Sequence, residues 1–152
     1  TEALSTLRIE MGHVAGSELD GRTIPYDASL EGLVSKKKDF IGKRSLNRSA
    51  FTSSDREKLV GVVPIDKTTS IPEGSYIVKD PKAKLPNPKL GHVSASCWSV
   101  EYDNPFSLAI IKDGKNMIGQ KLFAMSPLKN KTIPVEIVSS HYVDPEGKRV
   151  RS

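Results

Sequence analysis

Three histidines, one cysteine and a scatter of carboxylates are the residues of this chain with chemistry to offer. His13, His92 and His141 lie far apart in sequence and each falls at a turn or on a strand, where an imidazole is ordinarily a surface group. No Ser–His or Cys–His pair can be assigned from their spacing. Cys97 stands between Ser96 and Trp98 with no cationic neighbour to lower its pKa, so it reads as a buried, inert thiol. Glu18, Asp20 and Asp27 crowd one polar stretch, but their spacing matches no calcium loop and no His or Cys joins them, so no metal is expected. Nucleophile elbows, phosphate-cradling glycine loops, HExxH and paired-cysteine motifs do not occur. Taken alone, these residues describe a basic, β-rich module whose catalytic partner is elsewhere.

The elements that must position them follow from periodicity. Ala3, Leu4, Leu7 and Met11 make an apolar stripe of helical spacing over residues 1–15, with Thr1 as a cap and Gly12 placed to end the helix. Arg8 and Glu10 point from different faces of that helix, so no ion pair between them is expected; each can reach a partner of its own, but an exposed, solvated charge is the ordinary state of either. Residues 16–29 lack periodicity; Gly16, Asp20-Gly21 and Pro25 force turns, and so long a loop is usually functional or packed by its own side chains. Tyr26 within it can present a ring to a ligand or pack under the loop. Leu30–Val34 reads as a short strand, and Asp39 caps a short helix running to about Ser49. Thr52–Asp55 is polar and marks a boundary between two units.

Beyond that boundary the pattern turns to strands. Leu59–Ile65, Tyr76–Val78, Gln120–Met125 and Thr132–Val138 are short, apolar and set off by turn residues. Between them, Leu90–Ile111 reads as a hairpin reversed at Asp103-Asn104-Pro105, with Leu90, Val93 and Cys97 as apolar teeth outward and Phe106, Leu108, Ile110 and Ile111 returning. Gly91 marks a bend or a close backbone approach. The prolines at 81, 86 and 88 exclude a central strand from Asp80 to Lys89. About six strands with closely spaced turns predict a small antiparallel β-barrel after a short α/β segment. The tail from His141 to Arg149 is turn-rich and free to lie against another domain or subunit.

A net charge of +5 raises the question of nucleic acid, but the basic residues are interleaved with acids, their densest run is only Lys36-Lys37-Lys38, and aromatics are few. No apolar run approaches a membrane span and no signal-peptide pattern occurs. A single cysteine excludes an intrachain disulfide and favours a cytoplasmic setting. A start at Thr1, without methionine, suggests a piece of a longer polypeptide.

Several motifs occur together in one order: Leu7-Arg8-Ile9-Glu10, Gly12, Gly16-Ser17-Glu18-Leu19-Asp20, Thr23-Ile24-Pro25, Leu30 and Lys38-Asp39-Phe40-Ile41-Gly42-Lys43. Read together, and with LGHVSASCWS at residues 90–99, they resemble the second half of the glycine-cleavage T-protein (aminomethyltransferase) family. The start, Thr1-Glu2-Ala3-Leu4, and the tail, Tyr142-Val143-Asp144-Pro145-Glu146-Gly147, are more similar to the α subunits of heterotetrameric sarcosine oxidases within it. The resemblance implies that residues 1–54 end a folate-binding domain and residues 55–152 form the family's C-terminal six-stranded antiparallel barrel. It implies tetrahydrofolate as acceptor of an amine-derived one-carbon unit, with FAD, FMN and NAD bound elsewhere in the complex. It implies as partners the upstream part of the same subunit and the β, γ and δ subunits. The family's reacting aspartate lies upstream, and at the family's arginine position before the Leu-Arg pair this chain carries Leu4. The isolated segment is therefore expected to catalyse nothing, with Tyr26 and Trp98 as the residues to test for folate or interface contact. Other readings are a related aminomethyltransferase or dimethylglycine-oxidising enzyme, and a basic β-barrel that binds nucleic acid.

Overall fold

The computed structural model describes residues 1–83 and 88–151, with the backbone alone at Val150. Six antiparallel strands close into a barrel in the order β1-β4-β3-β2-β5-β6: β1 (Glu57–Pro64), β2 (Tyr76–Val78), β3 (Gly91–Ser99), β4 (Asn104–Lys112), β5 (Lys121–Ser126) and β6 (Lys131–Val138). Closure leaves the sheet no free edge, which is how so small an all-β unit avoids templating its own aggregation. The expected barrel is therefore present, and every strand read beyond residue 55 falls within it.

Strand alternation sorts the apolar residues into two cores. Val60 and Val62 of β1, Val93 of β3, Ala109 and Ile111 of β4, and Ile133, Val135 and Ile137 of β6 fill the barrel interior with Ile71 and Ile77. Leu59, Val63, Ala95, Phe106 and Leu108 face outward, where Ile9, Val14 and Tyr142 cover them. β1 and β4 are thus buried on both faces, which is why both read as nearly continuous apolar runs and not as alternating ones. Gly91 lies where β3 meets β4: a Cβ there would run into the Ile110 carbonyl oxygen and sit 2.8 Å from Ile111 Cα. The close backbone approach expected at this glycine is real.

The segment before the barrel is a pad on its outer wall. Helix α1 (Glu2–Glu10) ends as expected, with Gly12 at φ +69° donating its N–H to the Ile9 carbonyl. Gly12 also lies against the Ser140 backbone, where a Cβ would come within 2.8 Å of the carbonyl carbon. The stripe foreseen as its packing face is not the one it buries. Ile9 and Glu10 face the barrel, while Ala3, Leu4 and Leu7 are exposed and Met11 is half-buried.

Three other expectations are corrected. Leu30–Val34 is not a strand: Glu31–Leu33 form a single 3-10 turn, since no neighbouring strand edge is free once the barrel has closed. The helix foreseen to Ser49 is two short turns, α2 (Lys43–Leu46) and α3 (Ser49–Thr52), broken by Arg48 in extended conformation. The hairpin reverses one step earlier than expected: Asn104 and Pro105 already pair with Ser99 and Trp98, and Asp103 takes the left-handed conformation at φ 50°. The tail, expected to lie against another domain or subunit, lies against α1 of the preceding segment as well as against the barrel. Tyr142 and Val143 donate their N–H groups to the Glu10 carbonyl, and the Tyr142 ring stacks on Phe106 at 4.3 Å between centroids. Of the proline-rich stretch, Pro81 and Pro88 lie outside any strand, while Pro86 falls outside the described residues.

Candidate functional site

Where the 16–29 loop meets the barrel wall, a cleft of about 420 Å³ opens over Leu59, His92 and Ile110. Its rim is charged: Asp20 and Arg22 on the loop, Arg56 and Glu57 at the start of β1. The volume suits a small ligand. The groups around it, however, are largely committed to one another.

Asp27 is the clearest case. Its carboxylate is 8 % exposed and accepts from Arg56 Nε at 3.1 Å, from Arg56 Nη2, from Lys58 Nζ at 2.9 Å and from the Ile24 N–H at 3.1 Å. Burial pushes its pKa up, but the Arg56, Lys58 and Ile24 hydrogen bonds outweigh it and hold the carboxyl below its ordinary value. The Asp27 carbonyl also accepts the Leu59 N–H at 2.7 Å, so the loop is stapled to β1 by backbone and side chain together.

Glu18 and Glu10, the other buried acids of the pad, are likewise used. Glu18 accepts from the Ala15 N–H and the Ser17 hydroxyl at 2.7 Å each and from Arg8 Nη1 at 3.3 Å. Glu10 Oε1 accepts the Val100 N–H at 3.1 Å, tying α1 to the β3–β4 turn. The solvated charges expected at Arg8 and Glu10 are therefore corrected: each is held by its own partner, and Glu10 is buried. Asp20, on the rim, is held down to about 2 by its hydrogen bonds from Arg22.

His92 stands half-buried in the cleft, opposite Tyr76 and Ile110 in the strand ladder. His13 is exposed, and His141 Nδ1 lies 3.3 Å from the Ser140 hydroxyl. No two histidines share a site, and among the described residues no His, Cys, Asp and Glu converge with metal-binding geometry. Cys97 is half-buried, and burial first, then the Glu10 carboxylate, raises its thiol to about 11. Cys97 is thus less buried than the sequence reading had it, while the raised thiol is in keeping with low reactivity.

Tyr26 is half-buried in the loop but does not line the cleft. Trp98 is 48 % exposed at the end of β3, with its indole N–H donated to Asp103 Oδ1 at 3.1 Å. The structure does not bring the two together in this cleft. Sequence reading missed the Asp27–Arg56–Lys58 cluster, because nothing in the local pattern couples a loop acid to cations about thirty residues later.

The closed six-stranded antiparallel barrel with its helical pad defines a fold class, and sequence comparison supplies the family. Residues 57–144 match the model of the glycine cleavage T-protein C-terminal barrel domain, and the chain belongs to that family. It is homologous to sarcosine oxidase α subunits. That of Rhizobium meliloti (strain 1021) is 37 % identical over 98 % of this chain and that of Corynebacterium sp. (strain P-1) is 37 % identical over 98 %. The chain spans 15 % and 16 % of those two proteins' lengths. Among solved structures, glycine cleavage system aminomethyltransferase T from Bartonella henselae superposes with a TM-score of 0.71 at 22 % identity, over 94 % of this chain and 38 % of that one, and shares the fold. Among the described residues, no helix is long and apolar enough to cross a membrane.

Proposed function

We propose that this chain is the C-terminal part of the folate-binding region of a sarcosine oxidase α-type subunit, supporting oxidative demethylation of sarcosine with transfer of the one-carbon unit to tetrahydrofolate. The observation that carries the reading is 37 % identity along 98 % of the chain to proteins named sarcosine oxidase subunit alpha. On this reading residues 1–54 close a folate-binding domain, residues 55–152 are the barrel that buttresses it, and the setting is cytoplasmic. The partners are the upstream part of the subunit and the other subunits of the complex, which carry the flavin and nicotinamide cofactors.

The segment does not fit tetrahydrofolate unaided. A pterin offers a paired amino and ring N–H edge that a carboxylate recognises, and the buried acids Glu10, Glu18 and Asp27 are each engaged by their own chain. Arg22 and Arg56 on the cleft rim are likewise paired, with Asp20 and Asp27. On this reading the reacting groups belong to upstream residues, and this segment supplies wall and support. Its contribution is positional: a folate held beside the arriving imine reacts as a neighbour and not as a chance encounter.

Calorimetric titration of tetrahydrofolate into the segment and into the full subunit tests the reading. Binding is expected to the full subunit alone, and tight binding to the segment would overturn it. A dinucleotide-binding glycine motif upstream of the folate domain would distinguish it from a dimethylglycine-oxidising relative.

A further inference from the structure

Helix α1 carries its apolar stripe on the wrong side for this chain. Leu4 and Leu7 stand one turn apart on the same face, 71 % and 56 % exposed, with Ala3 also exposed and Met11 half-buried at the stripe's end. The face that does pack carries Ile9 and the carboxylate of Glu10. An amphipathic helix ordinarily buries its apolar stripe, and here the stripe has nothing over it.

Among the described residues, no other segment covers it. Residues 29–58 contain no buried residue at all, so the stretch after the loop has no core that α1 could join. The face is also electrically neutral. Arg8, the one cation of the helix, is drawn onto Glu18 and the His13 carbonyl, and the exposed carboxylate of Glu2 lies on the side of the helix away from Leu4 and Leu7. A neutral apolar stripe selects an apolar protein surface over an anionic ligand or a nucleic acid.

We propose that the Leu4–Leu7–Met11 face of α1 is the seat of the polypeptide that precedes this segment in the same subunit; the inference rests on the α-subunit reading above. Relatives that match along 98 % of this chain devote only 15 % of their length to it, so the subunit holds ample chain to bury two leucines. Covering α1 from that side encloses the helix between the barrel and the upstream domain. The helix then fixes the angle between them.

The test is maleimide labelling of Leu7→Cys in the full-length subunit, expressed alone and read by peptide mass spectrometry, with Leu4→Cys as a second variant should the first fail to fold. Labelling at least tenfold slower than in the urea-unfolded chain, unchanged on dilution to monomer, is the expected result. Protection below tenfold would overturn the proposal, and so would protection that needs another subunit or disappears on dilution. A native polypeptide found to be only 152 residues long would instead remove the α-subunit reading, before any labelling is done.

Discussion

Replacing Asp27 by alanine is the sharpest perturbation available, because one carboxylate holds two cations and a backbone amide. It is 8 % exposed, and the Arg56 and Lys58 side chains that face it are 18 % exposed each. Removing one partner from a fully buried ion pair costs roughly 3–5 kcal/mol, mostly as the desolvation penalty of the charge left behind. Here both cations retain some contact with water, so the cost should fall to about 2–4 kcal/mol. For a chain of this size that corresponds to a drop in Tm of roughly 5–12 °C. Urea unfolding at pH 7, followed by Trp98 fluorescence and by circular dichroism, measures it directly. The pH dependence gives an independent check. The folded carboxyl lies below its ordinary value of 3.8, so its contribution is complete well above that pH and is lost as pH falls through the lower folded value. The gap between wild type and Asp27→Asn should therefore be widest near neutrality, begin to narrow near the ordinary value of 3.8 and close only below the lower folded value. A loss under about 1 kcal/mol for Asp27→Ala, or a gap to Asp27→Asn that does not narrow in acid, would refute the reasoning.

Other expectations follow from single contacts. Gly91→Ala places a methyl group against the Ile110–Ile111 backbone, which cannot yield as a side chain would, so a loss of roughly 3 kcal/mol or more, or failure to accumulate folded protein, is expected in urea titrations. Glu10→Ala removes the acceptor of the Val100 N–H and should cost about 1–3 kcal/mol, with hydrogen exchange accelerated at Val100. With its thiol raised to about 11, Cys97 should react with iodoacetamide at pH 8 tens of times more slowly in the folded chain than in urea, read by intact mass. Trp98→Phe breaks only an exposed hydrogen bond to Asp103, so it should cost under about 1 kcal/mol and serve as a control for global effects.

What the sequence determined by itself was the barrel. Strands such as Tyr76–Val78 and Thr132–Val138 were legible because alternation and turn residues are local signals, and Gly91 because a strand interior seldom tolerates glycine without a steric reason. Tertiary structure alone decided which faces those elements use. The Ala3–Leu4–Leu7–Met11 stripe was real as a pattern, yet burial depends on what lies opposite, and in this chain only Ile9 and Glu10 meet a wall. Leu30–Val34 had the composition of a strand but no open edge to join, since six strands had already closed on one another. Asp27 looked like one of three loop acids until folding brought Arg56 and Lys58 to it. Periodicity is written along the chain, whereas the pairing of a buried charge is a property of residues that meet only when the chain has folded.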